Sequence, residues 1–320
     1  MGIQKTLTNW NSRQKVLEDA FWGPVSASIN WCEADYDVSR HIAEFINTLS
    51  NLPFLFMALF GIRSSIQNQI PINLWLPFVG IAMVGTGSFL FHMTLSYQMQ
   101  LLDELPMLFA VTFTTNCVWN TQKPGQRQPV PYVGTFLFLL VSTVTVAYLY
   151  YPDPVLHQAA FAGILTSGVV RATYLIHTNL LSSQFELARN REFVRIQVKG
   201  IIFFASAFGI WLVDCFACDV LTDMKTILGK PFSFLLELHA WWHLGTGLGS
   251  YYLATSTQLL VLSLREDPHN IELNYAFYGI LPYVKRVRSP PSPRTPTTLG
   301  GKAVPATSWR ENTNGHAKHA

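Results

Sequence analysis

Residues 74–95 read LWLPFVGIAMVGTGSFLFHMTL. The run is long enough to cross a bilayer as a helix, which takes about 20 apolar residues, and its one ionisable side chain is His92. Residues 237–262 form a second such run that opens with ELHAWWH and therefore carries His239 and His243 at its start. Five more stretches of the same character lie at 42–62, 101–119, 132–151, 156–176 and 198–218. With 49% hydrophobic and only 13% charged residues, the charge concentrated between these stretches, the composition argues against an ordinary soluble domain. The expected fold is all-α, a polytopic bundle of seven transmembrane helices.

The orientation follows from Lys and Arg, which accumulate in cytoplasmic loops. The connections after the first, third and fifth stretches hold Arg63, then Lys123 and Arg127, then Arg189, Arg191, Arg195 and Lys199, whereas those after the second and fourth hold none. Lys225, Lys230 and the N-terminal Lys5, Arg13, Lys15 and Arg40 run against the bias. The expected arrangement has a luminal N-terminus and a cytosolic C-terminus. Its parts would be a luminal segment 1–41, a catalytic bundle 42–265 and a largely disordered, basic, Pro/Ser/Thr-rich cytosolic tail 266–320. The opening MGIQKTLTNW lacks the apolar core of a signal peptide, so the first span is expected to direct insertion.

Ionisable side chains inside membrane helices are costly, and each is a functional candidate by default. His239 and His243 stand one helical turn apart and project from one face, a spacing suited to one zinc ion. His92 offers a third ligand from another helix, leaving a fourth position open, as a catalytic zinc requires. In the topology above, His92, Asp103, His239 and His243 all fall at the luminal ends of their helices. Glu44, Asn47 and Asn51 share one face of the first span, while Glu104, Asp214 and Glu237 lie at luminal helix ends, either as solvated carboxylates or as groups that orient a ligand. His157, Arg171 and His177 read as packing or snorkelling residues.

Ser88 lies four residues before His92 on the same helix face, where its hydroxyl can reach the metal; equally, it is a small residue that lets helices pack closely. Asp103 has the chemistry to carry a proton between an attacking water and a leaving amine. Cys32 and the Cys215/Cys218 pair fall on the luminal side, where oxidising conditions allow a disulfide; Cys32 to Cys218 is the pairing hypothesised. The string NWCEADYDVSRHIAEF supplies Asn30, Glu33, Asp35, Asp37 and Glu44, with the Trp31 carbonyl, as hard oxygen ligands suited to calcium, or else forms a solvated acidic face.

The blocks FWGPVSASINWCEADYDVSRHIAEFINTLSN, GTGSFLFHMTLSYQMQLLDELPM and ELHAWWHLGTGLGSYY resemble the signature blocks of the alkaline ceramidases, seven-span zinc amidohydrolases of the endoplasmic reticulum and Golgi. The resemblance implies cleavage of the ceramide amide to a sphingoid base and a fatty acid, with zinc on His92, His239 and His243 and with Ser88 and Asp103 completing the site. It also implies a structural and regulatory calcium on Asn30, Trp31, Glu33, Asp35 and Glu44, where Asn30 and Asp35 exchange the acid and amide that the family pattern carries. The expected partner is a membrane lipid rather than nucleic acid. Two alternatives are a seven-span zinc-containing receptor of the adiponectin or progestin receptor type and a transporter with ion-handling carboxylates.

Overall fold

A computed structural model describes residues 20–121, 132–180, 186–266 and 270–287. The basic connection at Lys123 and Arg127, the first residues of the N-terminal segment and the Ser-Pro and Thr-Pro tail after 287 lie outside the described residues. A short helix α1 (Phe45–Leu49) runs almost directly into α2 (Asn51–Gln67). There follow α3 (Ile72–Thr94), α4 (Tyr97–Trp119), α5 (Val133–Tyr150), α6 (Pro154–Leu180), α7 (Glu186–Phe216), α8 (Cys218–Leu228), a 3-10 turn at Phe232–Leu236 and α9 (Leu238–Arg265). The chain closes with an antiparallel hairpin, β1 (Ile271–Ala276) and β2 (Leu281–Arg286).

Five segments, α1–α2, α3, α5, α6 and the greater part of α7, are long and apolar enough to cross a membrane. Helices α4 and α9 are as long, but each carries more polar side chains. Helix α7 starts twelve residues before the expected 198, because Glu186–Lys199 is a good helix former despite its charge, and an apolar run marks only the part suited to lipid. Around the centre, Phe54, Phe78, Tyr251 and Leu260 pack α2, α3 and α9 together. Outward-facing side chains such as Phe136, Phe138 and Leu139 on α5 are exposed, as expected where lipid rather than protein covers a helix.

The hairpin corrects the expected boundary of the tail. Residues 271–286 are ordered strands, paired from Ile271 with Arg286 to Ala276 with Leu281. Ile271, Leu281 and Val284 are buried in the same core as Phe54 and Tyr251. Each strand is only six residues long and interrupted by charge, which is why no apolar run announces it.

Among the glycines of the described residues, the one pressed most tightly against another helix lies next to the candidate site. Pro106 has no N–H for the Leu102 carbonyl four residues earlier, and that carbonyl lies against Gly87 of α3. A side chain at 87 would overlap the Leu102 oxygen and come within 2.8 Å of the Asp103 nitrogen. Glycine at 87 is therefore what lets Ser88 and Asp103 meet. Gly87→Ala is expected to destabilise the protein by about 1–3 kcal/mol and to reduce activity, whereas Gly163→Ala, with open space around its new methyl, should leave both nearly unchanged. Thermal unfolding of the two variants side by side checks this.

Candidate metal centre

The C-terminal end of α3 and the N-terminal end of α9 meet beneath the N-terminal segment, and this brings His92, His239 and His243 together. One ring nitrogen or another of each lies within 4.8 Å of the others', and all three side chains are buried. Among the described residues this is the only cluster of histidine, cysteine or carboxylate groups that tight.

Each imidazole is fixed from behind by the N-terminal third of the chain. The Nδ1 of His92 contacts the Glu44 carboxylate, which selects the tautomer with its lone pair on Nε2. The Nδ1 of His243 lies 2.7 Å from Ser50 Oγ, and the ring also hydrogen-bonds the Asn47 backbone. The ring of His239 stacks on Trp31 at 4.0 Å, and its backbone N–H donates to Asp214. Two buried ring nitrogens, His92 Nε2 and His239 Nδ1, have no hydrogen-bond partner. Orphaned nitrogens in a dry site are costly, and a zinc ion bound by neutral imidazoles relieves that cost, so these residues fit the metal.

Ser88 Oγ sits 3.3 Å from His243 Nε2 and shares a hydrogen bond with Asp103. Both residues open onto a chamber of about 480 Å³ that also touches Trp31, His239 and His243. The chamber continues between apolar walls to Thr115, Gln197 and Thr257 near the far end of the bundle. Gln158, Ala162 and Thr166 on α6, and Ile201, Ala205 and Phe208 on α7, line it and are exposed. The α6 and α7 side of the chamber is therefore accessible rather than sealed.

The acidic string folds over the same end. Asn30 donates to Asp35 at 2.9 Å, and the two Glu33 oxygens accept the amides of Ile46 and Asn47 at 2.7 and 2.8 Å, capping α1. Burial pushes the Glu33 carboxyl up to about 7, against the pull of those two amides. Asp35, Glu33 and Asp214 all repel the Glu44 carboxylate, whose Oε1 is buried without a hydrogen-bond partner. Cys32 is bonded to Cys218, tying the string to α8, and Cys117 and Cys215 are free.

Glu104 is turned into a separate network with Tyr148 and Gln100, and His157 contacts its carbonyl at 2.8 Å. Glu237 pairs with Lys225 at 2.5 Å, and Arg171 covers the Trp119 ring. None of these groups touches the histidines directly. Sequence reasoning passed over Ser50 and the Trp31 ring; the polar stripe Glu44, Asn47, Ser50, Asn51 in an otherwise apolar span was the available signal for the former.

His92→Ala, His239→Ala and His243→Ala are each expected to abolish binding of an added divalent metal such as zinc, and Glu44→Gln to weaken that binding about 10- to 100-fold by releasing the orientation of His92. Elemental analysis of the purified proteins, with titration by a chelator of known affinity, measures both effects.

The profile of the ceramidase family matches residues 23–285. Alkaline ceramidase 3 of Mus musculus is 32% identical over 266 residues, which cover 82% of this chain and 94% of the mouse protein. Alkaline ceramidase YPC1 of Saccharomyces cerevisiae is also 32% identical, over 84% of this chain and 85% of the yeast protein. An alkaline ceramidase of Arabidopsis thaliana is 28% identical over 83% of this chain and 95% of its own length. A match across this much of the sequence, covering every residue of the histidine cluster and its supports, means that the chain belongs to the ceramidase family.

Proposed function

We propose that this protein is a zinc-dependent intramembrane amidohydrolase that cleaves the amide of ceramide to a sphingoid base and a free fatty acid. The observation that carries the reading is that His239 and His243, clustered with His92, open with Ser88 and Asp103 onto one end of a deep apolar chamber. A two-chain lipid scarcely leaves the bilayer, and the accessible α6 and α7 side of the chamber would offer it a path. Family membership favours the enzyme over a receptor or transporter.

His92, His239 and His243 would hold zinc, which when bound acts as a Lewis acid toward an amide carbonyl and activates water near neutral pH. Ser88 presents its hydroxyl where the amide oxygen gains negative charge and donates a hydrogen bond to it. Asp103, hydrogen-bonded to Ser88 and lining the chamber, takes a proton from the attacking water and delivers it to the departing nitrogen. Trp31 and Phe91 shield the centre from bulk water.

Helices α4 and α9 complete a seven-span bundle in this reading, their polar side chains being those that build the site. The site then faces the lumen of the endoplasmic reticulum or Golgi, in keeping with the basic loops at the other face and with a disulfide on the metal side, since such bonds persist in oxidising compartments. Asn30, the Trp31 carbonyl, Glu33, Asp35 and Glu44 would bind calcium, and the mutual repulsion around Glu44 supports a cation there. By gripping the segment that orients His92 and His239, calcium would regulate the zinc site.

Purified protein incubated with ceramide should release sphingoid base, and a zinc chelator should abolish the release; undiminished turnover by metal-free protein would refute the reading. Asp103→Asn keeps shape but not basicity, so it should retain zinc and lose on the order of 10²–10⁴-fold in turnover.

Calcium binding carries its own pH signature. Below about 7 the Glu33 carboxyl holds a proton that calcium must displace, and above that pH it is ionised. The calcium-dependent rise in melting temperature should therefore be larger at pH 8 than at pH 6, and Glu33→Gln should flatten the difference.

A further inference from the structure

The hairpin 271–286 runs inward along the bundle rather than away from it. The hydroxyl of Tyr251 donates to the Pro282 carbonyl at 2.7 Å, and that of Tyr252 to the Ile280 carbonyl at 2.6 Å. Tyr252 lies roughly 20 Å of helix before Arg265, which marks the polar end of α9. The Phe277 ring packs edge-on against Phe56 and Phe60 of α2, with centroids 5.1 and 5.2 Å away. Phe56 is roughly 16 Å from the polar end of its own helix. A six-residue strand spans about 20 Å, so the hairpin reaches from the helix ends to the level of Phe56 and Phe60 on α2 and of Tyr252 on α9, within the apolar stretches 42–62 and 237–262.

Its chemistry is graded along the same axis. Glu272 faces Lys285 at the base, and Arg286 pairs with Glu266 at 2.5 Å. The turn carries Phe277, Tyr278 and Ile280, which are 46%, 107% and 54% exposed. Phe277, Tyr278 and Gly279 all take positive φ, at 50°, 55° and 85°, and Ile280 N–H donates to the Phe277 carbonyl across the turn. In water such a turn selects Asn and Gly, because a bulky aromatic in this region is strained. Phe277 and Tyr278 bear that strain and place their rings on the exposed surface of the turn.

We infer that the hairpin is a re-entrant membrane element, inserted from the face opposite the metal centre, and that its Phe277–Ile280 turn contacts lipid acyl chains. Its exposed surface continues that of Leu52, Phe56 and Leu59 on α2. Of the non-helical backbone groups that need partners at that depth, the strand ladder pairs those facing the other strand, and the two tyrosine hydroxyls pair the Ile280 and Pro282 carbonyls. This rests on the membrane-embedded reading above and adds an element that the helix pattern does not contain.

The test uses the full chain with Cys117→Ala and Cys215→Ala, reconstituted in phosphatidylcholine vesicles, with one nitroxide-labelled cysteine at a time: Tyr278→Cys, Glu272→Cys at the hairpin base, or Leu139→Cys on α5. The label at 278 is expected to collide with oxygen and to be protected from an aqueous nickel chelate, as at 139, while the label at 272 is open to nickel. Nickel access at 278 with 139 protected overturns the inference, as does a label at 278 closed to both reagents, which would mean that protein covers the turn. Nickel access at 139 as well would instead refute the membrane reading, and the inference with it. Tyr278→Asn separates the two media by sign: it should lower the melting temperature in vesicles by a few degrees if the turn lies in hydrocarbon, and an unchanged or raised value overturns the inference.

Discussion

Three imidazoles with ring nitrogens inside 4.8 Å of one another, all buried, impose a constraint that shapes the whole molecule. They cannot all carry charge, and every nitrogen turned away from the cluster needs a partner where water is scarce. Glu44 meets that need for His92, while Ser50 and the Asn47 backbone meet it for His243. Those groups come from the chain before and at the start of the first long helix. The N-terminal segment therefore folds onto the bundle, stacks Trp31 on His239, and is held down by the bond between Cys32 and Cys218.

The proposed reacting groups depend on a second local arrangement. Ser88 and Asp103 belong to different helices, and they meet because Gly87 removes the side chain that would keep the helices apart. Pro106 contributes by leaving the Leu102 carbonyl without its helical partner, against the same glycine. A histidine cluster, a hydroxyl and a carboxylate are thereby collected at the rim of an apolar chamber. Chemistry that needs a polar site and a substrate that needs a greasy one are reconciled by placing the first at one end of the second.

The extramembrane parts follow from the same economy of polar groups. Glu33 caps α1 with both oxygens, and its burial makes a carboxylate that titrates near neutrality. Lys225 joins Glu237 to the Cys32 carbonyl, binding the α8 connection to the N-terminal string. At the other face, the hydroxyls of Tyr251 and Tyr252 on α9 donate to the Pro282 and Ile280 carbonyls and hold the strand pair against the helices.

Apolar runs determined the long helices, because about 20 residues of low polarity answer to one solvent, and the i, i+4 pair His239/His243 was legible because a helix makes that spacing a shared face. The polar positions His92, Asp103 and Glu44 stood out for the same reason, as costs that an apolar run does not otherwise carry. Tertiary structure alone decided that Ser50 and Trp31, rather than Glu104 or Glu237, serve the histidines, and that Gly87 rather than Ser88 provides the close helix contact. It also decided that residues 271–286 form a hairpin rather than the start of a tail. Local periodicity reports which medium a segment prefers, while the partner that satisfies a given nitrogen or carbonyl lies 48 residues away for His92 and 193 for His243. That distance in sequence is closed only by packing.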